Sequence, residues 1–150
     1  MIKTVVCYLE KGEKVLMLYR NKKKNDMNGG KYIGVGGHVE ENESIDEAVI
    51  REVKEETNLD IVSLVYYGKI IFDIDNFMEE MYVYTSSEFI GSICECDEGT
   101  LYWIDKSKML EVPLWEGDKY FLELIQKNVR NFEFELTYRN DKLVSVNRIK

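Results

Sequence analysis

The stretch GHVEENESIDEAVIREVKEETNL comprises residues Gly37 to Leu59 of this 150-residue chain. Within it we predict a helix from Ser44 to Thr57. Ser44 and Glu47 form an S-x-x-E capping box, which satisfies free backbone N–H groups where a helix begins. Asn58 stands where a left-handed residue would end the helix, and asparagine is the usual second choice after glycine.

The helix brings three carboxylates together. Projected at about 100° per residue, they share an arc of about 100°. These residues are Glu52, Glu55 and Glu56. The apolar residues on the same arc are Ile45, Ala48 and Val49. We therefore expect the glutamates on the inward face, with Ile50 exceptional in falling on the polar side.

Such a placement is costly. Glutamates one turn apart repel each other and raise one another's pKa, and each unpaired charge near a core costs on the order of several kcal/mol. A hard divalent cation compensates efficiently, because Mg²⁺ and Mn²⁺ bind carboxylate oxygens and keep sites open for phosphates. Arg51 compensates in part. Taken alone, however, E-x-x-E-E favours a solvated surface helix, since glutamate-rich helices are common.

The longer pattern resembles the Nudix box, G-x5-E-x7-R-E-U-x-E-E-x-G-U, in which U is a bulky aliphatic residue. The matching residues are Gly37, Glu43, Arg51, Glu52, Val53, Glu55, Glu56 and Leu59. Asn58 departs from the family's glycine but tolerates the same backbone.

The resemblance extends to the MutT-like branch of the family. It rests there on Gly34-Val35-Gly36-Gly37, on Glu98 before a strand ending in Trp103, and on Leu114-Trp115-Glu116-Gly117-Asp118. It therefore spans the chain from the first strand to about Ile125.

This resemblance implies hydrolysis of a diphosphate by water, with divalent ions bound. It implies four metal ligands, namely Glu52, Glu55, Glu56 and the backbone carbonyl of Gly37. Arg51 and Glu43 would orient Glu52. The general base would be Glu98 or one of the box glutamates. We expect Mg²⁺ as the cofactor, with Mn²⁺ as the alternative.

Substrate binding is predicted from two regions. A basic island comprises Arg20, Lys22, Lys23 and Lys24, and would contact outer phosphates unless it is only a solvated loop. Trp115 would stack on a purine or serve as a core aromatic. Asp118 would bind the base edge or favour the first turn of a helix. Ile33 argues against a close match to oxidised-guanine enzymes, which often have asparagine near this position.

Three functions remain open. The first is a pyrophosphohydrolase that converts a (deoxy)nucleoside triphosphate such as 8-oxo-dGTP to a monophosphate and pyrophosphate. The second is a Nudix hydrolase of a nucleotide sugar or dinucleoside polyphosphate. The third is a catalytically silent ligand-binding module, which the intact glutamates Glu52, Glu55 and Glu56 disfavour.

The expected architecture is an α/β (α+β) domain, 1–150, in which a mixed central sheet lies between helices as an α/β/α sandwich. The predicted strands are Thr4–Leu9, Lys14–Tyr19, Tyr32–Val39, Ile61–Ile74, Met81–Ile90 and Thr100–Ile104. A second helix is predicted over Glu116–Asn128. A C-terminal hairpin at about 131–150 pairs Phe132–Tyr138 with Leu143–Ile149.

Net charge, hydropathy and the number of cysteines and histidines limit the partners, the location and the metal sites that we expect. The net charge of −8 argues against a nucleic-acid polymer as partner and suits a small nucleotide. Without a long apolar run or signal-peptide pattern, we expect no membrane partner and a cytoplasmic location. The three cysteines and one histidine fall short of a zinc site. A monomer and a homodimer are both compatible with the sequence.

Overall fold

A computed structural model describes residues 1–150. The strands are β1 (Ile2–Lys11), β2 (Lys14–Tyr19), β3 (Tyr32–Ile33), β4 (Val35–His38), β5 (Asp60–Ile74), β6 (Phe77–Ile90), β7 (Thr100–Asp105), β8 (Phe132–Arg139) and β9 (Lys142–Arg148). The helices are α1 (Ile45–Thr57) and α2 (Asp118–Gln126), with a short 3₁₀ helix at Lys106–Lys108. None of these helices is long and apolar enough to cross a membrane.

The nine strands form one mixed sheet, as the sequence predicted. Seven of them follow the order β3-β2-β1-β6-β5-β8-β9, while β4 pairs with β1 and β7 pairs with β2. The β1–β6 and β5–β8 pairs are parallel, and the remaining pairs are antiparallel. The C-terminal hairpin β8–β9 therefore extends the sheet beyond β5.

Each face of the sheet buries its own apolar cluster. On β1, Val6 and Tyr8 point to the cluster that includes Phe121 of α2. The intervening Val5, Cys7 and Leu9 point to the cluster beneath α1. Because β1 is buried on both faces, its sequence is a nearly continuous apolar run rather than an alternating one.

The ends of α1 are capped as predicted. The Ser44 hydroxyl accepts from the Glu47 N–H, and the Glu47 carboxylate accepts from the Ser44 N–H. Asn58 has φ = 70°, and its N–H donates to the Lys54 carbonyl. The side-chain amide of Asn58 also donates to the Ser92 carbonyl.

Two predicted strands differ from the structure by more than two residues at one end or by a break. The strand predicted over Tyr32–Val39 breaks at Gly34, where a Cβ would lie 2.5 Å from Val6 Cγ2. Here the chain changes partner from β2 to β1. In contrast, β6 begins four residues earlier than predicted, because the tight turn Asp75-Asn76, with φ of 50° and 71°, lets both strands pair up to the turn.

The second helix is shorter than predicted. It begins at Asp118 rather than Glu116, because the preceding residues form a turn in which the Asp118 N–H donates to the Trp115 carbonyl. It ends at Gln126 instead of Asn128. This turn presents Trp115 beside the helix rather than on it.

The backbone at Asn58 generates a stability prediction. Asn58→Ala and Asn58→Gly both remove the contact with Ser92, but only alanine strains the left-handed backbone. We expect the alanine variant to be less stable than the glycine variant by about 1 kcal/mol in urea unfolding. Equal free energies of unfolding for the two variants would contradict this account.

Candidate active site

The three glutamates of α1 differ in exposure. Glu56 is buried, with 8% of its surface exposed, and Glu52 is largely covered. Glu55 was expected on the inward face, but its side chain is 56% exposed. The reason is that Val53 and Thr57 are also buried, which moves the centre of the buried arc away from Glu55. Ile50 is exposed, as its position on the polar side predicted.

Arg51 connects most of the acidic groups around α1. Its Nε and Nη2 atoms donate to the two carboxylate oxygens of Glu43, at 2.7 and 3.0 Å. Nη1 donates to Glu52 at 2.9 Å and lies 3.2 Å from Glu55. Nη2 also donates to the His38 carbonyl. These bonds stabilise the charged guanidinium and raise the pKa of Arg51.

The Glu56 carboxyl is the most perturbed acid in the site. Burial raises its pKa to about 10, and hydrogen bonding and repulsion from Glu98 add to the rise. Glu52 contributes further repulsion. The Gly36 N–H, which donates to Glu56 at 3.1 Å, acts in the opposite direction. A buried carboxyl between two other acids is the arrangement that a nearby cation would relieve.

Gly37 allows β4 to approach this helix closely. A Cβ on Gly37 would lie 2.5–2.6 Å from the carboxylate atoms of Glu52. The position therefore requires glycine for space.

The donor set fits a hard cation in chemistry, since the carboxylates and the Gly37 carbonyl supply only oxygen. No three His, Cys, Asp or Glu side chains converge on one point. Glu52 and Glu55 turn toward Arg51, and Glu56 turns toward Gly36.

Three residues of the basic island contact the segment Cys96–Glu98, and the fourth is exposed to solvent. Lys23 Nζ lies 3.1 Å from Glu98, and Arg20 lies 3.8 Å from it while also pairing with Asp26 at 2.7 Å. Lys22 donates to the Cys96 carbonyl. Lys24 is exposed. The loop that carries Glu98 is thus held against the island beside Glu56.

A cavity of about 650 Å³ extends from this region across the sheet. Its first end is lined by Arg20, Gly36, Gly37 and Glu98. Its second end is lined by Trp115, Asp118 and Tyr138. Ile33, Phe72 and Met81 also line the cavity. Of the predicted substrate-binding residues, Arg20, Trp115 and Asp118 therefore share one cavity, whereas Lys22, Lys23 and Lys24 do not line it.

Trp115 lies at the second end and is only half-buried. Its indole N–H donates to Asn28 at 2.7 Å, and its ring meets Tyr138 edge-on at 5.4 Å between centroids. The Lys31 ammonium stands 4.2 Å from the Trp115 ring centroid. Trp115 thus packs against the core while lining the cavity.

Asp118 is 6% exposed, yet its carboxylate has no hydrogen-bond or ion-pair partner in the protein. Burial raises its pKa to about 7. A buried carboxyl that lines a cavity without a partner is available to a ligand.

Several residues of the cavity wall could not be identified from the sequence. Phe72 and Met81 belong to long strands with many apolar residues, and nothing in the sequence distinguishes these two from the others. Thr4 and Glu79, also in the cavity wall, come next to one another only through the parallel β1–β6 pairing. Their proximity depends on register between segments about half the chain apart.

Known proteins are similar to this chain in sequence and in structure. A model of the NUDIX domain matches residues 2–125. The uncharacterized Nudix hydrolase YvcI of Bacillus subtilis is 29% identical over 138 residues, covering 88% of this chain and 84% of its own. The oxidized purine nucleoside triphosphate hydrolase of Danio rerio is 27% identical over 129 residues, covering 85% of this chain and 80% of its own.

Among solved structures, a crystal structure of a mutator MutT protein from Bacillus halodurans is similar over 99% of this chain and 98% of that one. The TM-score is 0.89 and the sequence identity is 25%. The similarity therefore includes the C-terminal hairpin, which carries no motif.

The buried Asp118 predicts a pH-dependent stability. Its pKa is raised from 3.8 to about 7 by burial, so the folded state retains a proton that the unfolded state releases between about pH 4 and 7. Stability from this group is complete below pH 4 and is lost as the pH rises through 7. We expect Asp118→Asn to gain up to about 4 kcal/mol relative to the natural protein at pH 8, and little at pH 4.

Urea unfolding across this pH range measures the difference. Asp141→Asn is the matched control, because Asp141 also lines the cavity but is exposed. Parallel stability curves for the natural protein and Asp118→Asn would refute the assignment of this pH dependence to Asp118.

Proposed function

Since the chain belongs to the NUDIX domain family and is a hydrolase of phosphoric anhydrides, we propose that it is a Mg²⁺-dependent nucleoside triphosphate pyrophosphohydrolase. It would cleave a substrate such as 8-oxo-dGTP to the monophosphate and pyrophosphate. The observation that carries the proposal is the single cavity that joins Gly36 and Gly37, beside the acidic helix, to Trp115 and Asp118.

In this proposal the cation is held by Glu52, Glu55, Glu56 and the Gly37 carbonyl, with Mg²⁺ preferred and Mn²⁺ as substitute. When bound, it neutralises phosphate charge, orients the phosphate chain and activates water. Support comes from the raised pKa of Glu56, which is caused first by burial and then by hydrogen bonding and repulsion from Glu98 and by repulsion from Glu52.

Arg51 and Glu43 act as positioning residues. The paired bonds between them fix the guanidinium plane, and Arg51 in turn holds Glu52 and Glu55. Because Arg51 also donates to the His38 carbonyl, it couples α1 to the end of β4. Arg51 thereby orients the carboxylates of Glu52 and Glu55.

Glu98 is the general base that the geometry favours over a box glutamate. It lines the cavity, is reached by Lys23 and Arg20, and is not part of α1. A base supplied by a separate loop leaves the helix carboxylates free to hold the cation. Lys23 and Arg20 would also meet the outer phosphates, whereas Lys22 is bound to the Cys96 carbonyl and Lys24 extends into solvent.

The base of the nucleotide would occupy the second end of the cavity. Trp115 offers a ring for stacking, and Asp118 offers an unpaired carboxyl to the edge of the base. The relative from Danio rerio is named for its action on oxidised purine nucleoside triphosphates, which supports a purine here. Ile33 contributes only an apolar surface to the cavity.

Removal of the box carboxylates tests the metal assignment. We expect Glu55→Gln and Glu56→Gln each to lower Mg²⁺-dependent hydrolysis of 8-oxo-dGTP by more than about 100-fold, because each loses an anionic ligand. Turnover is measured over a nucleotide panel with products separated by chromatography. The exposed Glu41→Gln serves as control and should retain activity. Retained turnover in both box variants would exclude these residues as ligands.

Trp115 provides a test of base binding. We expect Trp115→Ala to raise KM about tenfold or more, since stacking on a base contributes roughly 1–3 kcal/mol. Trp103 is the control, because it packs on Phe89 outside the cavity. Trp103→Ala should reduce thermal stability without raising KM. If both variants lost stability and KM stayed constant, Trp115 would be a core residue only.

A further inference from the structure

The rows of side chains that cross the sheet beneath the cavity are apolar except at two positions. One row consists of Ile2, Glu79, Phe72 and Leu136. The next row consists of Thr4, Met81, Ile70 and Phe134. Glu79 thus lies between two apolar neighbours on adjacent strands, where the pattern of the face favours another apolar side chain.

Thr4 and Glu79 are bonded to each other across these rows. The Thr4 hydroxyl donates to Glu79 Oε2 at 2.8 Å, and Thr4 is buried. Glu79 makes no ion pair, and its other oxygen, Oε1, has no hydrogen-bond partner in the protein. Both residues line the cavity. A carboxylate accepts several hydrogen bonds, so Glu79 keeps capacity for a ligand.

The strand order places this pair between the two ends of the cavity. On one side, β4 pairs with β1 so that His38 lies opposite Thr4 and Gly37 opposite Val5. On the other side follow β6, β5 and β8, and Tyr138 of β8 meets Trp115 edge-on and accepts a hydrogen bond from the N–H of Gly117, next to Asp118. A nucleotide with its phosphates near β4 and its base near Trp115 would lay its sugar over Thr4 and Glu79.

Charge supports the same placement. A carboxylate repels phosphate oxygens, so Glu79 disfavours any pose that moves the phosphates toward it. Sugar hydroxyls are donors, and acidic side chains bind the ribose 2′-hydroxyl in dinucleotide-binding folds. With the base placed at Trp115, the sugar is the part of the nucleotide that supplies hydrogen-bond donors at this position.

We propose that Glu79, oriented by Thr4, accepts a hydrogen bond from the sugar 2′-hydroxyl and makes ribonucleotides better substrates than their 2′-deoxy counterparts. The proposal rests on the proposed function, because it requires a nucleotide that spans the cavity. A hydrogen bond to a charged acceptor favours the ribo form by about tenfold to 100-fold in kcat/KM.

The experiment compares kcat/KM for two sugar pairs, GTP with dGTP and 8-oxo-GTP with 8-oxo-dGTP. The natural protein should prefer the ribo member by about tenfold or more. Glu79→Leu should bring the ratio of ribo to deoxy kcat/KM close to one, because it raises KM for the ribonucleotide alone. This variant should fold stably, since leucine is an apolar residue in an otherwise apolar row. Thr4→Val should lower the ratio less. A purely structural role would affect both sugars equally.

Glu80→Gln is the matched control. Glu80 is the next residue on β6, but it lies on the opposite face, where it accepts from the Tyr82 hydroxyl. Its variant should keep the natural sugar ratio. A natural ratio near one, or a preference that survives Glu79→Leu, would overturn the proposal.

A binding measurement separates this proposal from the proposed function. If none of the triphosphates is hydrolysed, the proposed function fails. Calorimetric titration of GMP and dGMP into the natural protein and Glu79→Leu then decides the sugar contact without turnover. Tighter GMP binding that Glu79→Leu removes supports the contact, and equal or absent binding of the two overturns it.

Discussion

The absence of side chains at Gly36 and Gly37 lets β4 lie against both β1 and α1, and the rest of the site depends on this close approach. A Cβ on Gly36 would stand 1.9 Å from the Val5 carbonyl oxygen, while one on Gly37 would collide with the Glu52 carboxylate. The same proximity lets the Gly36 N–H reach buried Glu56. Sheet register, helix position and carboxylate arrangement therefore follow from one constraint.

The parts of the structure that could be predicted from sequence are those set by local interactions. The Ser44 capping box and the left-handed Asn58 involve residues within one turn of each other, so the ends of α1 were correct. The prediction that Glu55 faces inward was wrong, because the helix projection left out the buried residues Val53 and Thr57. The strand residues in the wall of the cavity, such as Phe72, Glu79 and Met81, could not be predicted, because their proximity depends on which strands pair and in what register.

Two kinds of sequence organisation meet in this cavity. The first end adjoins the glutamates of one continuous stretch, Gly34 to Leu59, whose spacing is restricted by a helix and a strand. The rest of the lining is assembled from separate segments, including Ile33, Phe72, Met81 and Trp115. Substitutions that reshape the second end need not disturb the first, which explains why the motif indicates a reaction more clearly than a substrate.

The Tyr138 hydroxyl accepts from the Gly117 N–H at 2.7 Å, and a Cβ on Gly117 would lie 2.7 Å from that oxygen. The C-terminal hairpin is therefore fastened to the turn that presents Trp115 and Asp118. A ligand that fills the cavity contacts residues from both segments and so stabilises their association. Ligand binding in the cavity should consequently protect the last twenty residues from proteolysis.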